Sequence, residues 1–240
     1  MHRFYVPDLP HEGALVSLPD DEARHLTQVL RLSFGNEVGV FDGCGREHAA
    51  RVEVAARQRV EVRVGRAIEA ALEPTVRITL AAALLKGDKF DEVVRDAVML
   101  GAAAIQPLLT ARTDVPAVRA GHLSRLDRWR RVALSSVKQC GRAVLPAVEA
   151  PLPFGDALRA LPGPLVVLAE PSLGSETGSI PPATATASVL VGPEGGWSAE
   201  EIDAARQHGA HVLRLGARTL RADAAPLVAL AVLMYEWDQL

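Results

Sequence analysis

Two cysteines, Cys44 and Cys140, stand far apart in a chain of 240 residues, with no CxxC pair. A disulfide framework and a thiolate zinc site are thereby excluded as organising devices, and a reducing, cytoplasmic setting is expected. Apolar runs of membrane-spanning length are missing, so no membrane partner is expected. The start, Met1-His2-Arg3-Phe4-Tyr5-Val6-Pro7-Asp8, lacks a secretory signal's basic residues followed by an apolar stretch. Neither GxGxxG nor a Walker loop occurs, which weakens dinucleotide and mononucleotide-phosphate readings. Lysine is scarce: three of the 26 basic residues, Lys86, Lys89 and Lys138, and the rest arginine. With a formal net charge of −3 the chain is no polycation. Any nucleic acid must therefore be held by local patches. What is abundant is apolar side chain, 49% of residues, enough for a folded core in one or two domains.

Residues 1 to about 72 read as a small β domain carrying one helix. The helix spans Asp20–Leu30, with Ala23, Leu26, Val29 and Leu30 facing inward and Asp20 or Asp21 as cap. Arg24, Gln28 and Arg31 fall on its opposite face. Strands follow at Glu37–Asp42, Glu47–Val54 and Arg59–Gly65. In the last, Val60, Val62 and Val64 alternate with Arg59, Glu61 and Arg63. Short strands around glycine turns suggest a small barrel. From residue 73 to 240 strands and helices alternate. Strands are expected at Val76–Leu85, Ile105–Leu109, Leu165–Glu170, Ser188–Gly192 and His211–Leu215. Helices are expected at Asp88–Leu100, Ser124–Gly141 (Ser124 as cap), Ser198–His208 and Asp223–Trp237, and a Ser/Thr/Pro/Gly-rich loop over Ser172–Ala187. This order predicts an α/β domain with a parallel sheet wrapped by helices.

Four stretches concentrate residues that carry chemistry. The densest is Val189-Leu190-Val191-Gly192-Pro193-Glu194-Gly195-Gly196-Trp197-Ser198, a buried strand ending in a glycine turn that opens into a capped helix, with Ser198 and Glu201 forming a capping box. Glycines let backbone approach a ligand, and the turn lies at the carboxyl end of a parallel strand, where such folds bind ligands. An ordinary tight connection has the same shape. The second is Leu215-Gly216-Ala217-Arg218-Thr219-Leu220-Arg221-Ala222-Asp223, where Asp223 alone reads as a helix cap. The third is Lys86-Gly87-Asp88-Lys89, with Asp88 another candidate cap. The fourth is a basic run holding Arg119, Arg125, Arg128, Arg130, Arg131, Lys138 and Arg142 against Asp127, either a solvated face or a phosphate-contacting one.

Gly192-Pro193-Glu194-Gly195-Gly196 followed by Leu215-Gly216-x-Arg218-x-Leu220-Arg221 is similar to the signature of the bacterial 16S ribosomal RNA uridine N3-methyltransferases of the SPOUT superfamily. Arg24-His25-Leu26-x-x-Val29-Leu30-Arg31 and Phe41-Asp42-Gly43-x-Gly45 resemble that family's PUA-like domain. Lys86-Gly87-Asp88-Lys89 and Lys138-Gln139-Cys140-Gly141-Arg142 follow in the expected order. Three positions depart: Lys138 replaces a usual glutamate, Ala222-Asp223-Ala224-Ala225 replaces Thr-Glu-Thr-Ala, and Trp197 replaces phenylalanine.

The resemblance implies a PUA-like β-barrel over 1–72 and a SPOUT α/β domain with a deep trefoil knot over 73–240. It implies S-adenosylmethionine as methyl donor without a metal, a homodimer, and 16S ribosomal RNA in the small subunit as partner. The implied donor site is Leu168, Ala169, Glu170, Gly192, Pro193, Gly195, Leu215, Gly216, Arg218 and Leu220. Arg221 is the candidate to stabilise a uracil anion, Asp223 to orient Arg221 or relay the proton, and Glu194 the second candidate base. Arg24, Gln28, Arg31, Lys86, Lys89 and Arg142 are candidate RNA contacts. A ribose 2′-O-methyltransferase and a non-catalytic RNA-binding assembly factor remain as alternatives.

Overall fold

The computed structural model of the chain describes residues 1–56, 59–114, 122–171 and 179–240, with backbone only over 122–124. Arg119, the Ser124 side chain and residues 172–178 of the expected loop lie outside the described residues. The chain divides into two compact units, Met1–Glu73 with Val137–Leu145, and Pro74–Ser136 with Pro146–Leu240.

The first unit contains β1 (Arg3–Tyr5), β2 (Leu15–Ser17), α1 (Asp20–Arg24), a π-turn (His25–Val29), β3 (Glu37–Phe41), β4 (Glu47–Ala56) and β5 (Arg59–Ala67). The strands form one sheet in the order β1-β3-β4-β5-β2, with β1 parallel to β3 and the other pairs antiparallel. Strict alternation buries Val60, Val62 and Val64 with Val52 in the core beneath α1. Glu61, expected outside, is buried; the Arg59 guanidinium curls back on the same strand and donates to its carboxylate at 2.7 and 3.0 Å.

The expected helix 20–30 is interrupted. Its second half winds as a π-turn, with the Leu30 N–H donating to the His25 carbonyl at 3.0 Å. A wider turn rotates the residues after it. Val29, expected inside, is therefore 66% exposed, while Leu26 stays buried. Neither Asp20 nor Asp21 caps α1; Pro19 precedes it and both acids sit within its first turn. Arg3 reaches Val137–Leu145 within this unit. Its guanidinium holds Glu47 through two bonds at 2.6 and 2.8 Å and donates to the carbonyls of Val137, Lys138 and Arg142.

The second unit contains β6 (Arg77–Ala83), α2 (Lys89–Met99), β7 (Ala104–Leu109), α3 (His122–Cys140, its last turn in the first unit), β8 (Ala147–Val148), β9 (Leu152–Pro153), α4 (Phe154–Ala160), β10 (Leu165–Leu168), β11 (Thr186–Val191), α5 (Ala199–Gln207), β12 (His211–Leu213) and α6 (Ala225–Glu236). The sheet is parallel in the order β12-β10-β11-β6-β7-β8, with β9 also on β7. β6 is central and covered on both faces, which accounts for its unbroken apolar run. Phe90 of α2 meets Trp129 of α3 with ring centres 4.7 Å apart. Asp88 and Asp223 do not cap. α2 has no side-chain cap, and α6 starts after Ala224, because each aspartate is engaged by an arginine instead. The capping box of Ser198 and Glu201 on α5 is present.

Arg3→Ala leaves the buried Glu47 carboxylate without its cation, and breaking such a pair costs about 3–5 kcal/mol. Urea denaturation is expected to show that loss, and a smaller one for Arg3→Met combined with Glu47→Leu. Equal stability of Arg3→Ala and the unaltered chain would refute the assigned role.

Candidate active site

Three strand ends of the second unit, joined by Arg112 from beyond a fourth, β7, meet at one cavity of about 250 Å³. β10 supplies Leu168, Ala169, Glu170 and Pro171. The turn after β11 supplies Gly192 to Trp197, and the segment after β12 supplies Leu215, Arg218, Thr219, Leu220 and Ala222. Parallel strands put all three at their carboxyl ends, where the connections to the next helices leave backbone groups facing outward.

Trp197 shapes the turn. Its ring is fully buried, packs on Phe154 at 4.9 Å between centres, and donates from Nε1 to the Leu168 carbonyl at 2.8 Å. A Cβ on Gly192 would lie 3.1 Å from that ring, so backbone and indole are in contact. Gly196 has φ +69° and faces the Glu170 carboxylate, whose Oε1 would be 2.4 Å from an added Cβ. Glu170 itself makes no hydrogen bond or ion pair among the described residues, which leaves a carboxylate free in the cavity wall.

Charged pairs line the surroundings. Glu194 accepts the Lys86 backbone N–H at 3.2 Å and lies 3.6 Å from Lys89 Nζ. It thus braces the Lys86–Lys89 loop to the glycine turn. Lys86 Nζ pairs with Asp114 at 2.6 Å; the hydrogen bond and charge of Asp114, with the charge of Glu194, raise its pKa. Arg221 forms a two-pronged pair with Asp223, Nε to Oδ1 at 3.1 Å and Nη2 to Oδ2 at 2.7 Å. That hydrogen bond, against a smaller desolvation, holds the Asp223 carboxyl below its ordinary range, helped by the charges of Arg221 and Lys89. The pair therefore survives neutral pH and is lost only as acid protonates Asp223. Arg221 remains 77% exposed in its side chain, on either side of which Leu220 and Ala222 line the cavity.

Of the residues singled out in the sequence, Leu168, Ala169, Glu170, Gly192, Pro193, Glu194, Gly195, Leu215, Arg218 and Leu220 line this cavity. Gly216 is not among the lining residues and turns the chain beside Leu215 with φ +74°. Arg24, Gln28 and Arg31 are exposed on the first unit. Arg142 is a correction. It is 4% exposed and gives both a 2.5 Å and a 2.9 Å bond to Glu73, so it organises its unit rather than reaching a ligand. Part of the basic run is likewise engaged by acids, while Arg130 and Arg131 are exposed and, among the described residues, donate only to the Val148 and Asp127 carbonyls. Arg128 pairs with Asp88 and Asp91, and Lys138 with the buried Glu22. Sequence reasoning missed Arg112. It follows β7, donates to the Gly195 carbonyl at 2.9 Å and packs where a Gly195 side chain would stand. The signal was available: β7 is another parallel strand, and its carboxyl end belongs to the same rim.

Residues 72–234 match the family model for an RNA methyltransferase domain, and 18–65 that for an RNA methyltransferase PUA domain. Ribosomal RNA small subunit methyltransferase E of Synechocystis is 36% identical over 227 residues, 91% of this chain and 72% of that relative. The chain belongs to the ribosomal RNA small subunit methyltransferase E family. Its fold agrees with that placement. The family's Neisseria gonorrhoeae member, solved bound to S-adenosylmethionine, superposes with a TM-score of 0.90 at 33% identity, over 99% of this chain and 98% of that one. A Legionella pneumophila protein solved in complex with the same cofactor gives 0.91 at 30% identity, over 98% and 97%. The mixed α/β domain with its parallel sheet, and the separate PUA domain, are the family's parts.

Within this family member, Gly196→Ala puts a side chain into left-handed backbone and against Glu170. The conformation alone costs about 1–2 kcal/mol. Thermal denaturation should show the loss, and adding Glu170→Ala should recover only the steric part. Unchanged stability of Gly196→Ala would contradict the packing described.

Proposed function

We propose that the chain transfers a methyl group from S-adenosylmethionine to nitrogen 3 of a uridine in 16S ribosomal RNA. The observation that carries the proposal is the juxtaposition of a backbone-lined cavity with the exposed Arg221–Asp223 pair at its rim. The residues fit such a donor. Gly192, Gly195 and Gly196 present bare backbone to the cavity, since a side chain there would press on Trp197, Arg112 or Glu170, and the unpaired Glu170 carboxylate suits a cationic ligand. Leu168, Ala169, Leu215 and Leu220 offer apolar and backbone surface for its base and ribose. When bound, the donor supplies a methyl group already activated on positively charged sulfur.

The difficulty lies on the acceptor, whose ring nitrogen is nucleophilic only without its imide proton. As the N–H bond breaks, the proton passes to solvent water at the exposed rim beside Arg221. Arg221 meets the charge that spreads over the ring nitrogen and its flanking carbonyl oxygens. As the new N–C bond forms the C–S bond breaks, and the sulfur keeps the electron pair. Asp223 holds Arg221 in one orientation; its lowered pKa makes it an orienting group rather than a strong base. Glu194, engaged by Lys86 and Lys89, is a brace. The ring nitrogen is inaccessible in paired RNA, so the base must be unpaired or flipped out.

The wider reading follows the family. The first unit, as a PUA-like barrel, and the Lys86–Lys89 loop contact the RNA. The second unit carries the trefoil knot, whose loops are the cavity turns. The assembled small subunit is the substrate, in the cytoplasm; among the described residues no helix is long and apolar enough to cross a membrane. A homodimer is supported by α6, which is apolar around its whole circumference yet leaves Val228 and Tyr235 exposed.

Arg221→Ala is expected to lower single-turnover methyl transfer to small subunits by about 100-fold or more, as loss of an anion-stabilising donor does, while donor affinity by calorimetry stays near that of the unaltered chain. Gly195→Val, which drives a side chain into Arg112, is expected instead to abolish donor binding. Undiminished transfer by Arg221→Ala would end the assignment.

A further inference from the structure

The first unit carries an unusual local arrangement between α1 and β3. The π-turn ends at Val29, and Arg31 follows with φ +55°, one of two non-glycine residues with positive φ among those described. Both features cost conformational energy, and such strain concentrates where function demands a fixed geometry. The chain then makes a tight loop. The Leu32 N–H donates to the Leu26 carbonyl at 3.0 Å, the Ser33 N–H to Asn36 Oδ1 at 2.7 Å, and the Gly35 N–H to the Val52 carbonyl at 2.8 Å. The first ties the loop to the helical turn, the second closes the loop on itself, and the third ties it to β4. At its tip stands Phe34, 70% exposed on a short loop and without a partner ring among the described residues. Large aromatic rings are ordinarily buried, and the rigid loop holds this one in water at no further ordering cost.

Cations flank it. Arg51 of β4 brings Nη2 to 3.6 Å from where a Cβ on Gly35 would be, beside Phe34. Neither Arg31 nor Arg51 makes an ion pair or side-chain hydrogen bond among the described residues. Arg66, Arg77, Arg125 and Arg218 also lack an acid partner among the described residues, but here two such guanidinium groups, on Arg51 beside Gly35 and on Arg31 three residues before Phe34, share one short stretch with an exposed aromatic ring. A flat apolar face with positive charge at its margins matches a nucleotide, whose base stacks and whose phosphate pairs with arginine.

We propose that Phe34 is a stacking platform for an unpaired base of the RNA substrate, with Arg31 and Arg51 holding the adjoining phosphates. The proposal rests on the RNA-methyltransferase reading and goes beyond it by naming a residue of the first unit that seats the strand. The π-turn and the left-handed Arg31 backbone, with φ +55°, together fix where that residue leaves the helix. Gly35, with φ +86°, lets the Arg51 guanidinium come close to the tip.

The test is fluorescence anisotropy of the full chain with a dye-labelled single-stranded oligoribonucleotide at low ionic strength, beside methylation of small subunits by the same preparations. Phe34→Ala is expected to weaken oligonucleotide binding roughly tenfold and to raise KM for small subunits without changing kcat or donor affinity. Phe34→Trp restores both, and Phe34→Leu restores neither. Arg31→Gly, which keeps the left-handed backbone but removes the cation, is expected to reduce the slope of log affinity against log salt by about one. Equal binding by the Phe34→Ala variant and the unaltered chain overturns the proposal. So does full rescue by Phe34→Leu, which marks an apolar protein contact instead. Failure of the unaltered chain to methylate small subunits overturns the functional reading alone, since the oligonucleotide comparison still decides the role of Phe34.

Discussion

The Trp197 indole is the constraint on which the cavity depends. Its N–H closes on the Leu168 carbonyl, its ring lies under Gly192 and packs at a tilt on Phe154, so one side chain ties the ends of β10 and β11 to α4. With the ring in place, residue 192 has no room for a side chain, and the turn must run close over the indole before entering α5. The capping box then fixes the helix start, and Glu201 does double service by accepting the Ala111 N–H at 2.8 Å. That bond and the one from Arg112 to Gly195 join the end of β7 to the same turn. The cavity is therefore rigid because of a buried ring and a few directional bonds, with its glycines as the consequence.

Charge is arranged around that frame in pairs. Lys86 with Asp114, Lys89 with Glu194 and Arg221 with Asp223 each set a cation against a carboxylate near the cavity. Exposed pairs of this kind contribute little to stability. What they contribute is orientation: each fixes a long side chain that would otherwise sample many rotamers. Arg221 illustrates the division of labour. One edge of its guanidinium is held by Asp223, while most of the side chain faces solvent, where an acceptor base has access. A chain with a net charge of −3 can thus present positive groups locally without being basic overall.

Local pattern revealed much of this and long-range pairing revealed the rest. The period-two valines of β5, the apolar run of β6, and the Ser198–Glu201 box are each decided by neighbours within a few residues. The strand-glycine-helix turn also announces itself, because each part has its own local cause. Val29 was misplaced since nothing in the residues distinguishes an α-turn from a π-turn, which depends on how Leu30 and Leu32 close onto the loop. Asp88 and Asp223 look like caps because capping is a local property. They are instead held by Arg128 and Arg221, and of these only Arg221 is a sequence neighbour. Arg142 looked like a phosphate contact within a basic run, yet its carboxylate partner lies 69 residues away. The allegiance of Val137–Leu145 to the first unit is likewise invisible locally, as it rests on Arg3, more than a hundred residues earlier.

The central claim is that this frame presents a cationic rim to a uracil ring nitrogen. Its most direct test is chemical: incubate the purified protein with isotopically labelled S-adenosylmethionine and small ribosomal subunits lacking their modifications, digest the RNA to nucleosides, and identify the labelled product. The account predicts label in 3-methyluridine. Label in a ribose-methylated nucleoside, or no label although the donor is bound, would contradict it.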